Sequence, residues 1–253
     1  MKKTSIFLVC LLLCGLLTAC GGPEQPTDAS PAGSVSTLSP AELRRQSYAD
    51  LLTRLMEDKI LPDGTAACDF GPISKEKWES CFVVADVDHD GREELVLSYR
   101  DDCTAAQFCS ILEYRPETAE LWEELSTTPA VVFYDNGIVD ALMPHNQSFG
   151  DLWPFFREQY EPESDTYRFV ADVRSWDREI RPEDYPEWVD TSGSGSVYYI
   201  SEKPPQEQSD PEPVDQSVYE QWEADTLQGA KTAQIDFLPL NEQNIRQITE
   251  QAD

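Results

Sequence analysis

The chain has 253 residues, with 48 acidic against 19 basic side chains and a formal charge of −29. So acidic a chain repels a phosphate backbone, which excludes nucleic acid as a partner and makes cations the natural company of its surface. With two histidines in the whole sequence, there is little material for acid–base or nucleophilic catalysis.

Lys2 and Lys3, an apolar run from Ile6 to Leu17, and Leu17, Thr18 and Ala19 ahead of Cys20 make residues 1–19 a lipoprotein signal peptide. The apolar core is too short to span a bilayer. Cleavage would leave Cys20 as a lipidated first residue, and an anchor of two or three acyl chains such as palmitate attaches stably where one chain is marginal. The expected location is therefore the extracellular side of the cell membrane, with the lipid on Cys20 as the membrane contact. Residues 20–38 are mostly Gly, Pro, Ser, Thr and Ala, with too little to bury for folding, and read as a flexible tether. Residues 39–253 are long enough for a single domain with a substantial core.

That domain opens on a helix. Ser39, Pro40 and Glu42 form a capping box with proline at the first helical position. Leu43, Leu51, Leu52, Leu55 and Met56 then share a face, until Pro62, Asp63 and Gly64 supply the stop. Beyond it the apolar pattern alternates, with turn signals at Asp101, Pro116 to Thr118, Thr127 to Pro129 and Asp135 to Gly137. The spacing predicts a meander of antiparallel strands. At Tyr134 to Gly137, YDNG predicts a type I′ hairpin with positive φ at Asn136 and Gly137. A second hairpin joins Phe155–Tyr160 to Thr166–Val173 across PESD. Ser192–Ser196 reads as a Gly/Ser loop, Val197–Ile200 as a strand, and residues 203–216 as an exposed Pro-rich acidic excursion. A strand near Ile235–Leu238 and a short helix from Asn241, with Ile245 and Ile248 inward, close the chain. The fold class is α+β: an N-terminal helix packed on an antiparallel β-meander, with a short C-terminal helix.

The densest chemical signal is Phe82 to Leu97, FVVADVDHDGREELVL, an acidic loop between two strand-forming runs. Asp86, Asp88 and Asp90 put oxygen ligands at alternate positions, Gly91 allows a sharp turn, and Glu94 closes the loop. Arg92 is expected to contribute only its backbone carbonyl. An EF-hand needs glutamate at its twelfth position, and counting from Asp86 that place holds Leu97. Two carboxylates about 4 Å apart repel by roughly 4 kcal/mol at an effective dielectric of ~20, so four crowded together call for a cation or protons. Calcium, in a structural role, is the expected cofactor; a solvated Asp-rich turn without metal is the plain alternative. The loop resembles the DxDxDGxxEL loops of integrin-type and propeller-type repeat blades.

Outside the leader and the lipid site, Cys68, Cys81, Cys103 and Cys109 remain, an even number suited to two disulfides outside the cytoplasm. Of three connectivities, Cys68–Cys81 with Cys103–Cys109 is the local one; free thiols are the alternative. His145, beside Asn146 and Ser148, is the one handle for a secreted hydrolase working with nearby carboxylates, but no nucleophile elbow accompanies it. The second half is rich in aromatic residues. Most suit a sheet core, and Tyr185 and Trp188, flanked by prolines and acids, are the best candidates for exposed rings that could meet a protein or glycan ligand.

Several segments together resemble a family of secreted lipoproteins from Clostridia-type Gram-positive bacteria, described as uncharacterised or EF-hand-like. They are FVVADVDHDGREELVL, YDNG, MPHNQSFGDLWPF, YRFVADVRSWD and VYYI, within about Tyr48 to Ile200. The resemblance implies a surface lipoprotein with a calcium loop and no particular activity. Such proteins often carry a second aspartate-rich loop before VYYI. Here Asp190, Ser192, Ser194 and Gly195 keep a weakened version. These readings together favour a lipid-anchored binding module with a structural calcium loop over an enzyme.

Overall fold

The computed structural model describes residues 38–66, 80–101, 106–146, 148–204, 207 and 211–250. Helix α1 (Pro40–Glu57) begins as the capping box predicts: Glu42 N donates to the Ser39 hydroxyl at 3.2 Å, and Ser39 N donates back to the Glu42 carboxylate. It ends before Pro62, because Lys59 turns to a positive φ of 59° and Ile60 N bonds back to Arg54 O. The buried face is Tyr48, Leu51, Leu52 and Leu55, whereas Leu43, expected on that face, is 40% exposed. Among the described residues no helix is long and apolar enough to cross a membrane.

The strands follow in chain order: β1 (Cys81–Ala85), β2 (Glu94–Asp101), β3 (Ala106–Arg115), β4 (Glu120–Thr127), β5 (Ala130–Tyr134), β6 (Ile138–Leu142), β7 (Phe155–Glu161), β8 (Thr166–Asp177) and β9 (Ser196–Ser201). Neighbours pair antiparallel as the alternating pattern requires, with one break between β4 and β5. There the meander divides into two sheets, at Thr128 and Pro129, where proline has no N–H to continue a ladder. YDNG does turn a hairpin, but not by a type I′ turn. Phe133 faces Val139, Gly137 N bonds to Tyr134 O, and only Gly137 has positive φ, 74°. This is a three-residue loop with glycine in the left-handed place.

The C-terminal part departs most from expectation. The acidic excursion ends in an ordered strand, β10 (Pro213–Asp215), paired with β9, and Asp215 caps a helix, α2 (Gln216–Leu227), that the sequence pattern does not announce. Only Tyr219 of α2 is buried, too little to produce a visible apolar stripe. The single strand expected near Ile235–Leu238 is two short ones, β11 (Thr232–Ala233) on β5 and β12 (Leu238–Pro239) on β1. Helix α3 (Glu242–Glu250) buries Ile245 and Ile248 as predicted.

The first sheet runs β12-β1-β2-β3-β4 and the second β10-β9-β8-β7-β6-β5-β11. Leu95, Leu97, Leu112 and Tyr114 pack one face of the first sheet against α1 and α3. Its other face, through Val96, Cys109 and Ile111, meets Phe133, Val139, Tyr160 and Tyr167 of the second. Tyr219 of α2 joins Phe155, Ala171 and Val173 on the far side. Under α2, the fully buried Arg157 is paired in a fork with Asp140, both bonds 2.7 Å. That buried charge has its partner; several buried carboxylate oxygens at the edge of the inter-sheet core, on Asp86, Asp88, Glu94 and Glu124, do not.

Candidate metal centre

The loop joining β1 to β2 is held open by its own backbone bonds. Asp90 N donates to Asp88 Oδ1 at 2.9 Å, Arg92 N to Asp90 Oδ1 at 2.7 Å, and Val87 N to Glu94 Oε2 at 2.8 Å. Two left-handed residues, His89 (φ 68°) and Gly91 (φ 93°), make the turn. As a result one carboxylate oxygen from each of Asp86, Asp88, Asp90 and Glu94 converges, all within 4.8 Å of one another. Asp86 Oδ1, Asp88 Oδ2 and Glu94 Oε1 are buried without a hydrogen-bond partner. Unpartnered buried carboxylate oxygens facing one point are a poor arrangement unless something positive sits there, so these four residues could hold a metal ion.

Electrostatics follow from that placement. Glu94, wholly buried, is pushed up to about 10, by desolvation first and by the charge of Asp88 next. Burial likewise lifts Asp88 to about 6 against the bond from Asp90 N. A cation among them would oppose both shifts by favouring the charged carboxylates.

The surroundings fix the loop from three sides. Tyr48 of α1 donates to Glu93 O at 2.7 Å, and Arg44 pairs with the Glu93 carboxylate at 3.0 Å. On the second sheet, Gly137 in the YDNG turn lies so close that a Cβ there would stand 3.0 Å from Asp88 O. The third contact is the Arg92 side chain, which does far more than the sequence suggested. Its Nε donates to Asp90 Oδ2 at 2.7 Å, Nη1 lies 2.6 Å from Glu113 Oε1, and Nη2 donates to Asp165 Oδ1 at 3.1 Å. Asp165, in the β7–β8 turn, also accepts from Arg115 at 2.8 Å and from the Tyr160 hydroxyl at 2.9 Å. Burial works against the Asp165 charge, but these donors hold its carboxyl below the ordinary value. Asp90, Glu113 and Asp165 form a second acidic group, each member of which is paired with Arg92 and one also with Arg115.

Sequence reading found the loop and missed its frame. Glu113 falls in phase with the inward-facing Cys109 and Ile111, and a carboxylate on an apolar face was the available signal. Glu124 and Asp165 carried none.

The remaining candidates are placed as follows. Cys81 and Cys109 carry free thiols and both face Ser98 from opposite sides, while Cys68, Cys103 and Cys20 lie outside the described residues. His145 is exposed, and among the described residues none bonds or pairs with it. Tyr185 is buried, with its hydroxyl on Asp190, and so is not the exposed ring expected; Trp188 is 74% exposed. Around Asp190 no second acidic group gathers among the described residues: its carboxylate accepts from Gly195 N, Tyr185 and Ser194.

Fold and site define an α+β protein of two stacked antiparallel sheets between helices, with an acidic centre at one edge of the inter-sheet core. Comparison with protein-family models, with curated proteins and with solved structures gives no match.

Proposed function

We propose that this is a lipid-anchored extracellular protein whose Asp86–Glu94 loop binds calcium structurally and stiffens a domain that presents a surface to a protein or glycan ligand. The observation that carries the reading is the convergence of four carboxylates with three buried, unpartnered oxygens. All donors are oxygens, the choice of a hard cation, and the Arg92 carbonyl would add a backbone ligand. The cation's work would be cohesion: the loop touches α1, the β5–β6 turn and, through Arg92, β3 and the β7–β8 turn. The leader, Cys20 and the family resemblance support the anchored address, and Trp188 supplies an exposed ring for contact. No geometry among the described residues favours hydrolysis at His145.

The test is a thermal melt of the chain in EDTA and in a calcium series, beside Asp88→Ala. Calcium at a hundred times its Kd should add about 2.7 kcal/mol to the native protein and nothing to the variant. Equal melts with and without calcium would leave the loop a solvated turn.

A further inference from the structure

Resting on the calcium reading, we propose that Glu124, outside the loop and on another strand, completes the cation's surroundings from the interior by accepting from a cation-bound water. Glu124 owes its place to an irregularity in the β3–β4 ladder. Ile111 pairs with Leu125 and the next residue, Leu112, pairs with Glu123, so Glu124 is the extra residue of a bulge. A bulge re-aims a side chain that regular pairing would send elsewhere. Here it buries a carboxylate between the sheets, 3% exposed, with neither oxygen hydrogen-bonded. The backbone at this point is pinned by Thr166, whose hydroxyl donates to Glu124 O at 2.8 Å.

A carboxylate buried with both oxygens unpartnered is unfavourable unless something compensates it. The arginines of this region do not serve it, since Arg92 and Arg115 are taken by Asp90, Glu113 and Asp165. The charges that act on it most are acidic, those of Asp88, Glu113, Asp165 and Asp90. Glu124 does not belong to the group of four whose oxygens lie within 4.8 Å of each other, and its strand is tied by Thr166 beside Asp165, the residue that bonds Arg92 of the loop, so a water is the link it would use to the ion. A further polar atom lies in the same inter-sheet core, where Tyr167 packs with Val87 of the loop and Ile111. The Tyr167 hydroxyl, from the facing sheet, is buried and unpartnered, with Asp88, Glu124 and Glu94 as its charged neighbours. A water held by the cation, Glu124 and Tyr167 has the three partners a buried water usually takes. Outer partners of this kind orient a metal's ligands, and their loss weakens binding by 10- to 100-fold.

The experiment is calorimetric titration of the full chain with calcium chloride, for wild type, Glu124→Gln and Asp88→Ala, with melts in EDTA. Glu124→Gln should bind calcium at least ~10-fold more weakly while melting no lower than wild type without cation, since an amide replaces a buried carboxyl of nearly the same shape. A merely structural residue would shift the melt and leave Kd alone. If Glu124→Gln folds poorly, Tyr167→Phe reads the same water and should weaken binding in the same sense. Kd within twofold of wild type in these variants overturns the role of Glu124 while calcium binding stands; no uptake by wild type removes both.

Discussion

The Asp86–Glu94 loop and the Asp190–Gly195 loop both place an aspartate at the head of polar residues on alternate positions and a glycine at the turn, yet they come to opposite ends. At Asp190 the loop answers its own carboxylate: Gly195 N at 3.0 Å and the hydroxyls of Tyr185 and Ser194 take up the oxygens. In the first loop serine is replaced by aspartate at the corresponding places. Asp90 is met by Arg92, but Asp86 Oδ1, Asp88 Oδ2 and Glu94 Oε1 are left buried without a donor. A loop with hydroxyls at those positions is complete alone, and one with carboxylates there has room in its charge balance for a cation. The difference is two side-chain types, not backbone shape.

The contrast can be broken from its structural side. Gly137→Val should cost the most, about 2–3 kcal/mol, because a β-branched residue is forced into the left-handed region with its Cβ 3.0 Å from Asp88 O. Denaturant melts should show the loss, and calcium titration should show weaker binding, since the glycine seats Asp88. Gly193→Val meets the same left-handed backbone strain, at φ 70°, but with open space around the Cβ position it should cost less and leave calcium binding unchanged.

A smaller but sharper difference is the sign of the pH dependence. The native Glu94 carboxyl lies near 10 against an ordinary 4.5. Its contribution in EDTA is therefore full below the ordinary value and drains as pH rises toward 10. Asp190 is held below its ordinary 3.8, because the bonds it accepts outweigh its desolvation, so its contribution is present above that value and lost as pH falls. In EDTA, the stability of Glu94→Gln relative to wild type should climb from pH 5 to pH 9. The deficit of Asp190→Asn should instead vanish under acid. If both differences ran the same way with pH, the two loops would not be opposites.

The smallest effect closes the series. Asp190→Ala should lower stability by less than about 1 kcal/mol, equally with and without calcium, because the loop is exposed and only ordinary hydrogen bonds are lost.

What was legible in the sequence was what local chemistry decides. The capping box at Ser39, the β1–β2 and β7–β8 hairpins, the inward Ile245 and Ile248 and the four carboxylates of the loop all act within a few residues. The rest depends on partners far along the chain. Helix α2 hides because it is fixed by Tyr219 stacking on Tyr198 of β9, with no apolar stripe of its own. Tyr185 looks exposed beside Pro186 and Glu187 but turns in toward Val189 and Val197. Glu124 follows from a register shift, which no single-strand pattern records.

The stretch from Thr232 to Pro239 ties the protein together in time as well as in space. Its first end extends the second sheet beside β5, with Lys231 and Asp135 exchanging bonds just outside. The other end completes the first sheet beside β1, while Ile235 and Phe237 pack into the core between them. Both sheets therefore wait for residues made well after all their long strands. Until that seam is sewn, a nascent molecule has two open edges and an uncovered interior, and its hazardous interval outlasts the completion of β9.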